Sequence, residues 1–124
     1  MTRSLITVTD KETVESAMHV MTDNDISSVV VEPDEKGVWG ILTRRDIVGK
    51  IVRLGKNPAT TRVKEIATRP VKSVAAETSI RDAATILADQ NFSRLTVEQN
   101  GKIIGIVTET DIFKNLEKYG WKME

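Results

Sequence analysis

"GILTRRDIV" runs from Gly40 to Val48, and "GIVTETDIF" runs from Gly105 to Phe113. Both stretches keep Gly, Ile, Thr, Asp and Ile at one spacing and change the letters between them. The duplication extends outward from there. Thr2-Arg3 aligns with Thr68-Arg69, and the same register pairs Val8 with Val74, Ala17 with Ala83, Asp23 with Asp89, Ser27 with Ser93 and Val31 with Val97. A single-residue deletion in the turn near Glu35 then brings the two quoted stretches onto each other. Chance does not hold a register that long, so the chain is an internal repeat.

Each half reads the same way. A short strand is expected near Ile6 to Val8, and again near Val71 to Val74. Thr13 and Ser79 then sit at helix N-cap positions. Val14, Ala17, Met18 and Met21 in the first half, and Ile80, Ala83, Ala84 and Leu87 in the second, recur at the spacing of an amphipathic helix with one buried face. Two apolar runs follow in each half, separated by "PDEKG" and by "QNGK", and predict a hairpin. The repeated Thr opens a second helix, reaching about Leu54 and about Lys118. The order is β-α-β-β-α, twice, an α+β architecture joined by the connector "GKNPATTRVKEIAT". The expected division is 1–62 for the first repeat with its connector and 63–124 for the second.

Composition narrows the function. At 124 residues the chain suits one compact unit of two halves, each marginal alone at roughly 60 residues. Lys plus Arg (18) balance Asp plus Glu (18), so no net field draws the chain to nucleic acid or to an anionic membrane. The absence of cysteine removes disulfides, thiolate metal sites and Cys nucleophiles. No apolar leader opens the sequence and no run is long enough to span a bilayer, so it reads as soluble and cytoplasmic. No nucleophile–base pair or metal cluster stands out, which argues against an enzyme and leaves no cofactor required.

The repeated Thr-x-x-Asp has two physical readings. As a capping box, the Thr hydroxyl and the Asp carboxylate would satisfy backbone N–H groups at the start of a helix. Capping boxes favour Glu or Gln at the third helical position, whereas both copies carry the shorter Asp. A short carboxylate at a strand-to-helix junction can instead accept the two hydroxyls of a ribose, with nearby donors for a phosphate. The two roles are compatible.

The element order, the "ATRPV" entry to the second copy, the hairpin and the G-I-x-T-x-x-D-I ending together resemble a tandem pair of CBS domains, often called a Bateman module. The resemblance runs from Thr2 to about Lys118. It implies two repeats packed about a pseudo-twofold axis into one module, further association into a homodimer, and binding of adenosine derivatives in clefts shared by the repeats. It implies one nucleotide site of Ile41, Thr43, Arg45, Asp46, Arg69, Pro70, Val71, Lys72, Ser93 and Arg94, in which Asp46 holds ribose hydroxyls. A second, weaker site would use Arg3, Ser4, Leu5, Ser27, Ser28, Ile106, Thr108, Thr110 and Asp111. Arg45, Arg69, Lys72 and Arg94 make the first set the better phosphate binder, because guanidinium forks suit phosphate oxygens. Where family members commonly carry a proline, this chain has Val30 and Thr96 in the second strands, and Ser4 opposite Pro70.

The expected function is therefore a stand-alone regulatory module that senses AMP, ADP or ATP and acts on a separate, unidentified effector protein. The alternatives are an interaction or assembly module with empty clefts, or a sensor of S-adenosylmethionine or NAD(H). His19 falls off the apolar stripe and reads as a solvated helix position. Phe92 and Trp39 read as core, with Phe92 beside the adenine slot that the resemblance implies. The basic connector lacks interleaved aromatics and reads as a solvated face. Tyr119 and Trp121, in an otherwise polar tail, suggest packing on a partner subunit.

Overall fold

The computed structural model describes residues 5–90 and 92–120. By spatial contact the chain forms two units, the first being Ile6–Val71 and the second beginning at Lys72.

In the first unit β1 (Thr7–Val8) pairs in parallel with β2 (Ser28–Val31), and β2 pairs antiparallel with β3 (Gly40–Thr43). A parallel pair needs a crossover, and α1 (Val14–Asp23) supplies it. Thr13 caps α1 as its spacing predicts, accepting the Ser16 N–H at 3.1 Å. Val14, Ala17 and Met21 bury the helix stripe, while Met18 lies at its exposed edge. Val8, Val29, Val31 and Leu42 meet that stripe. Each such side chain removed from water is worth roughly 1.5–3 kcal/mol.

The second helix of this half departs from expectation. It begins as α2 (Arg44–Ile47), then widens into a π-helical segment (Val48–Val52) whose Ile51 still reaches the core. The connector also differs from a plain linker. It carries a third, four-residue helix, α3 (Val63–Ile66), and both Val63 and Ile66 are buried in the first core. Thr68 then pairs with the free edge of β3, its N–H donating to the Ile41 carbonyl at 2.9 Å and its carbonyl accepting the Ile41 N–H at 3.0 Å.

The second unit repeats the pattern with β4 (Ser73–Ala75), α4 (Ile80–Gln90), β5 (Arg94–Gln99), β6 (Lys102–Thr108) and α5 (Glu109–Tyr119). β4 runs parallel to β5, and β5 antiparallel to β6. The β5–β6 turn is Asn100-Gly101, with φ of 54° and 79°. Two residues of positive φ match the right-handed twist of the strands, which is why Asn-Gly suits this turn. Val74, Ala83, Leu87 and Leu95 form the core, with Phe92 packed against it. Two units of mixed helix and three-stranded sheet confirm the α+β class. No helix among the described residues is long and apolar enough to cross a membrane.

Candidate functional site

Each repeated Thr ends a strand in extended conformation, where its side chain can turn back over the first helical turn. The Thr43 hydroxyl accepts the Asp46 N–H at 3.0 Å, and Asp46 Oδ2 accepts the Thr43 N–H at 3.0 Å. Thr108 and Asp111 repeat this at 3.0 and 3.1 Å. The shorter Asp therefore does reach the cap N–H, so its use in place of Glu or Gln is no sign by itself against the capping box.

The two carboxylates differ beyond the box. Asp46 Oδ1 accepts the Thr68 hydroxyl at 3.3 Å and faces Lys50 Nζ at 3.4 Å. Lys50 Nζ also donates to the Ile66 carbonyl at 2.9 Å. Asp46 is thereby tied to the connector, and its side chain is only 13% exposed. Asp111 is exposed, and Asn115 stands where the repeat places Lys50, so no such ion pair can form there.

Arg69 is committed within the first unit. Its Nε donates to the Val38 carbonyl, Nη1 to Asp10 Oδ1 and Nη2 to the Glu32 carbonyl, each at 2.8 Å. Asp34 Oδ2 lies 3.7 Å from Nε. The sequence reading gave Arg69 to phosphate; the structure spends its guanidinium on the sheet end and the hairpin. Asp34 also organises that hairpin, accepting the Lys36 and Val38 N–H groups at 2.9 and 3.0 Å. The Val38 N–H bond chiefly holds the Asp34 carboxyl below its ordinary value; burial opposes it, and the Lys36 N–H and the Arg69 charge add to the lowering.

Other expected residues fall beside the motif of their own unit. Ser28 lies opposite Thr43 in register, and the Ser27 carbonyl accepts the Arg44 N–H at 3.1 Å. In the second unit Arg94 lies opposite Thr108, the Ser93 carbonyl accepts the Glu109 N–H at 3.0 Å, and Ile106 pairs with Thr96. Arg94 Nε is buried with no hydrogen-bond partner among the described residues. Arg45, Pro70, Lys72 and Thr110 are exposed, and Leu5, Ile41 and Val71 half-buried. The Lys72 carbonyl accepts the Thr96 N–H at 2.9 Å, so its backbone belongs to the sheet. Arg3, Ser4 and Trp121 lie outside the described residues. Sequence reasoning missed Lys50 and Thr68 as partners of Asp46. The i,i+4 spacing of Asp46 and Lys50 was a readable signal for the first of them.

The chain is 36% identical to an uncharacterized protein of Methanopyrus kandleri over 90% of its own length and 58% of that protein's, so it spans little more than half of that relative. It is 31% identical to Hypoxic response protein 1 of Mycobacterium tuberculosis, over 90% of this chain and 78% of the relative. Among solved structures, a hexameric CBS-CP12 protein from bloom-forming cyanobacteria matches with a TM-score of 0.83 at 32% identity, over 96% of this chain and 71% of that one. The family model for the CBS domain matches residues 1–53 and 63–118. With both halves matched and each unit built in the order β-α-β-β-α, the chain belongs to the CBS-domain family as a tandem pair.

Proposed function

We propose that this tandem pair is a regulatory, non-enzymatic module that senses an adenine nucleotide, AMP, ADP or ATP, in the cytoplasm. The observation that carries the reading is Arg94, whose buried Nε has no hydrogen-bond partner among the described residues. A buried guanidinium nitrogen left unpaired is costly, and an anion is its natural complement. Thr43 and Asp46, with Ile41, Arg45, Pro70, Val71, Lys72, Ser93 and Arg94, form the primary ligand set, and Asp46 takes the ribose hydroxyls. With Arg69 engaged elsewhere, Arg45, Lys72 and Arg94 carry the phosphate. Thr108 and Asp111, with Leu5, Ser27, Ser28, Ile106 and Thr110, form a second set of lower cationic charge. Ligand shifts the population of module conformations that an effector protein reads.

The pair also acts as a homodimer in this proposal. Val48 and Val52 stay exposed on the second helix of the first half, Leu54 in the turn that follows it, and Phe113, Leu116 and Tyr119 on α5. Val48 and Leu54 match Phe113 and Tyr119 in the repeat register, and large apolar side chains left outward at such matching places fit a surface covered by a second copy. Sedimentation of the full chain tests this, with a monomer at all concentrations opposing it.

Thermal melting with AMP, ADP, ATP, S-adenosylmethionine and NADH tests the ligand. Ligand at a hundred times its dissociation constant adds about 2.7 kcal/mol. A panel that leaves the melting temperature unmoved favours a different reading, an assembly module without nucleotide. The two complete capping boxes support that alternative, since they give both Thr–Asp pairs a structural purpose.

A further inference from the structure

We propose that Asp46 couples ligand occupancy to the connector, with Lys50 and Thr68 as the groups that a bound ribose displaces. This rests on the reading that Asp46 takes ribose hydroxyls, and adds the price of doing so. Asp46 Oδ2 is held by the capping box, which leaves Oδ1 as the oxygen most open to a ligand. That oxygen is in use: the Thr68 hydroxyl donates to it at 3.3 Å, and Lys50 Nζ stands 3.4 Å away.

Both occupants belong to one mechanical chain. Lys50 spans from Asp46 to the Ile66 carbonyl, at the end of α3. Thr68 is tied by its backbone to Ile41, in the same repeated motif as Asp46. A carboxylate oxygen has few lone-pair directions, so a hydroxyl donor that takes Oδ1 competes with the ammonium and the Thr hydroxyl for them. Once they are displaced, the stretch 66–68 keeps its backbone pairing with Ile41 but loses its side-chain tether to Asp46. The connector then loosens when ligand binds. The second motif carries Asn115 in place of Lys50, so this ion-pair tether belongs to the first motif alone.

Two measurements on the full chain test the coupling. Without ligand, Asp46→Asn removes the charge that holds Lys50, and the Thr68 and Ile41 amides should exchange hydrogen several-fold faster. With AMP as probe, titration calorimetry should find Lys50→Gln and Thr68→Val binding about two- to fivefold tighter than the parent, the worth of a partly exposed pair. AMP added to the parent should also speed exchange at the Thr68 amide. A purely structural role for Lys50 and Thr68 would lower thermal stability and leave AMP affinity unchanged. Unchanged exchange in Asp46→Asn overturns the coupling whatever binds. AMP binding that is indifferent to both substitutions overturns it while leaving the nucleotide reading intact. No binding of AMP, ATP or adenosine by the parent overturns both.

Discussion

The Cβ that Gly40 lacks would fall 2.9 Å from Arg69 Cγ and 3.2 Å from its Cζ and Nε. The guanidinium crosses that glycine to reach Val38, Glu32 and Asp10, so the backbone there must be bare. At Gly105, its counterpart, no heavy atom of the described residues lies within 4 Å of the same imaginary Cβ.

Gly40→Ala should therefore destabilise the first unit by about 1–3 kcal/mol, the usual cost of forcing an atom into an occupied space. Gly105→Ala should cost less than Gly40→Ala, because among the described residues no side chain crosses Gly105. Denaturant unfolding of both variants decides the matter. Equal losses would mean that Arg69 moves aside freely.

Acid should loosen the hairpin held by Asp34. Its carboxyl is held below the ordinary value in the folded state, chiefly by the Val38 N–H. A depressed value stabilises the fold above the unfolded-state pKa, and that contribution is lost as pH falls through the folded one. Melting temperature followed from about pH 5 to about pH 3, the range of carboxylate titration, should drop more steeply for the parent than for Asp34→Asn. Parallel curves would remove Asp34 from the account.

The connector helix should behave as core. Ile66 is 2% exposed and Val63 fully buried, so Ile66→Ala should cost about 2–5 kcal/mol in urea unfolding. A loss below about 1 kcal/mol, the range of ordinary surface substitutions, would show α3 to be dispensable.

If Arg94 meets phosphate, Arg94→Ala should weaken AMP at least about tenfold, as loss of a charge-assisted bond implies, and spare adenosine. Calorimetry with both ligands reads the difference directly. Equal weakening would assign Arg94 to the sheet rather than to an anion.

The element order was legible because it rests on local signals. Val29 to Val31 is a β-branched run, and Val14, Ala17 and Met21 recur at helical spacing. Thr43 and Thr108 announce their helices by capping chemistry alone. Four-residue α3 is too short to show a period, and Arg62 is not a residue type that announces an N-cap. The fate of Arg69 was illegible for another reason: its partner Asp10 stands 59 positions away. Charge counting placed Arg69 among phosphate ligands because sequence shows a cation but not the carbonyls and carboxylate that meet it. The reach of Asp46 and Asp111 into their capping boxes likewise depends on backbone geometry that spacing alone does not contain.

By sequence, the second copy begins with Thr68-Arg69, which matches Thr2-Arg3, yet the stretch 68–71 folds with the first unit. The period of duplication and the period of folding are thus out of phase. A gene fragment cut at the repeat boundary would deliver a first half without Arg69, leaving the Glu32 and Val38 carbonyls and Asp10 without the donor that closes them. Excision, permutation or symmetrisation of the pair has to follow the fold, keeping the opening residues of one copy with the body of the other.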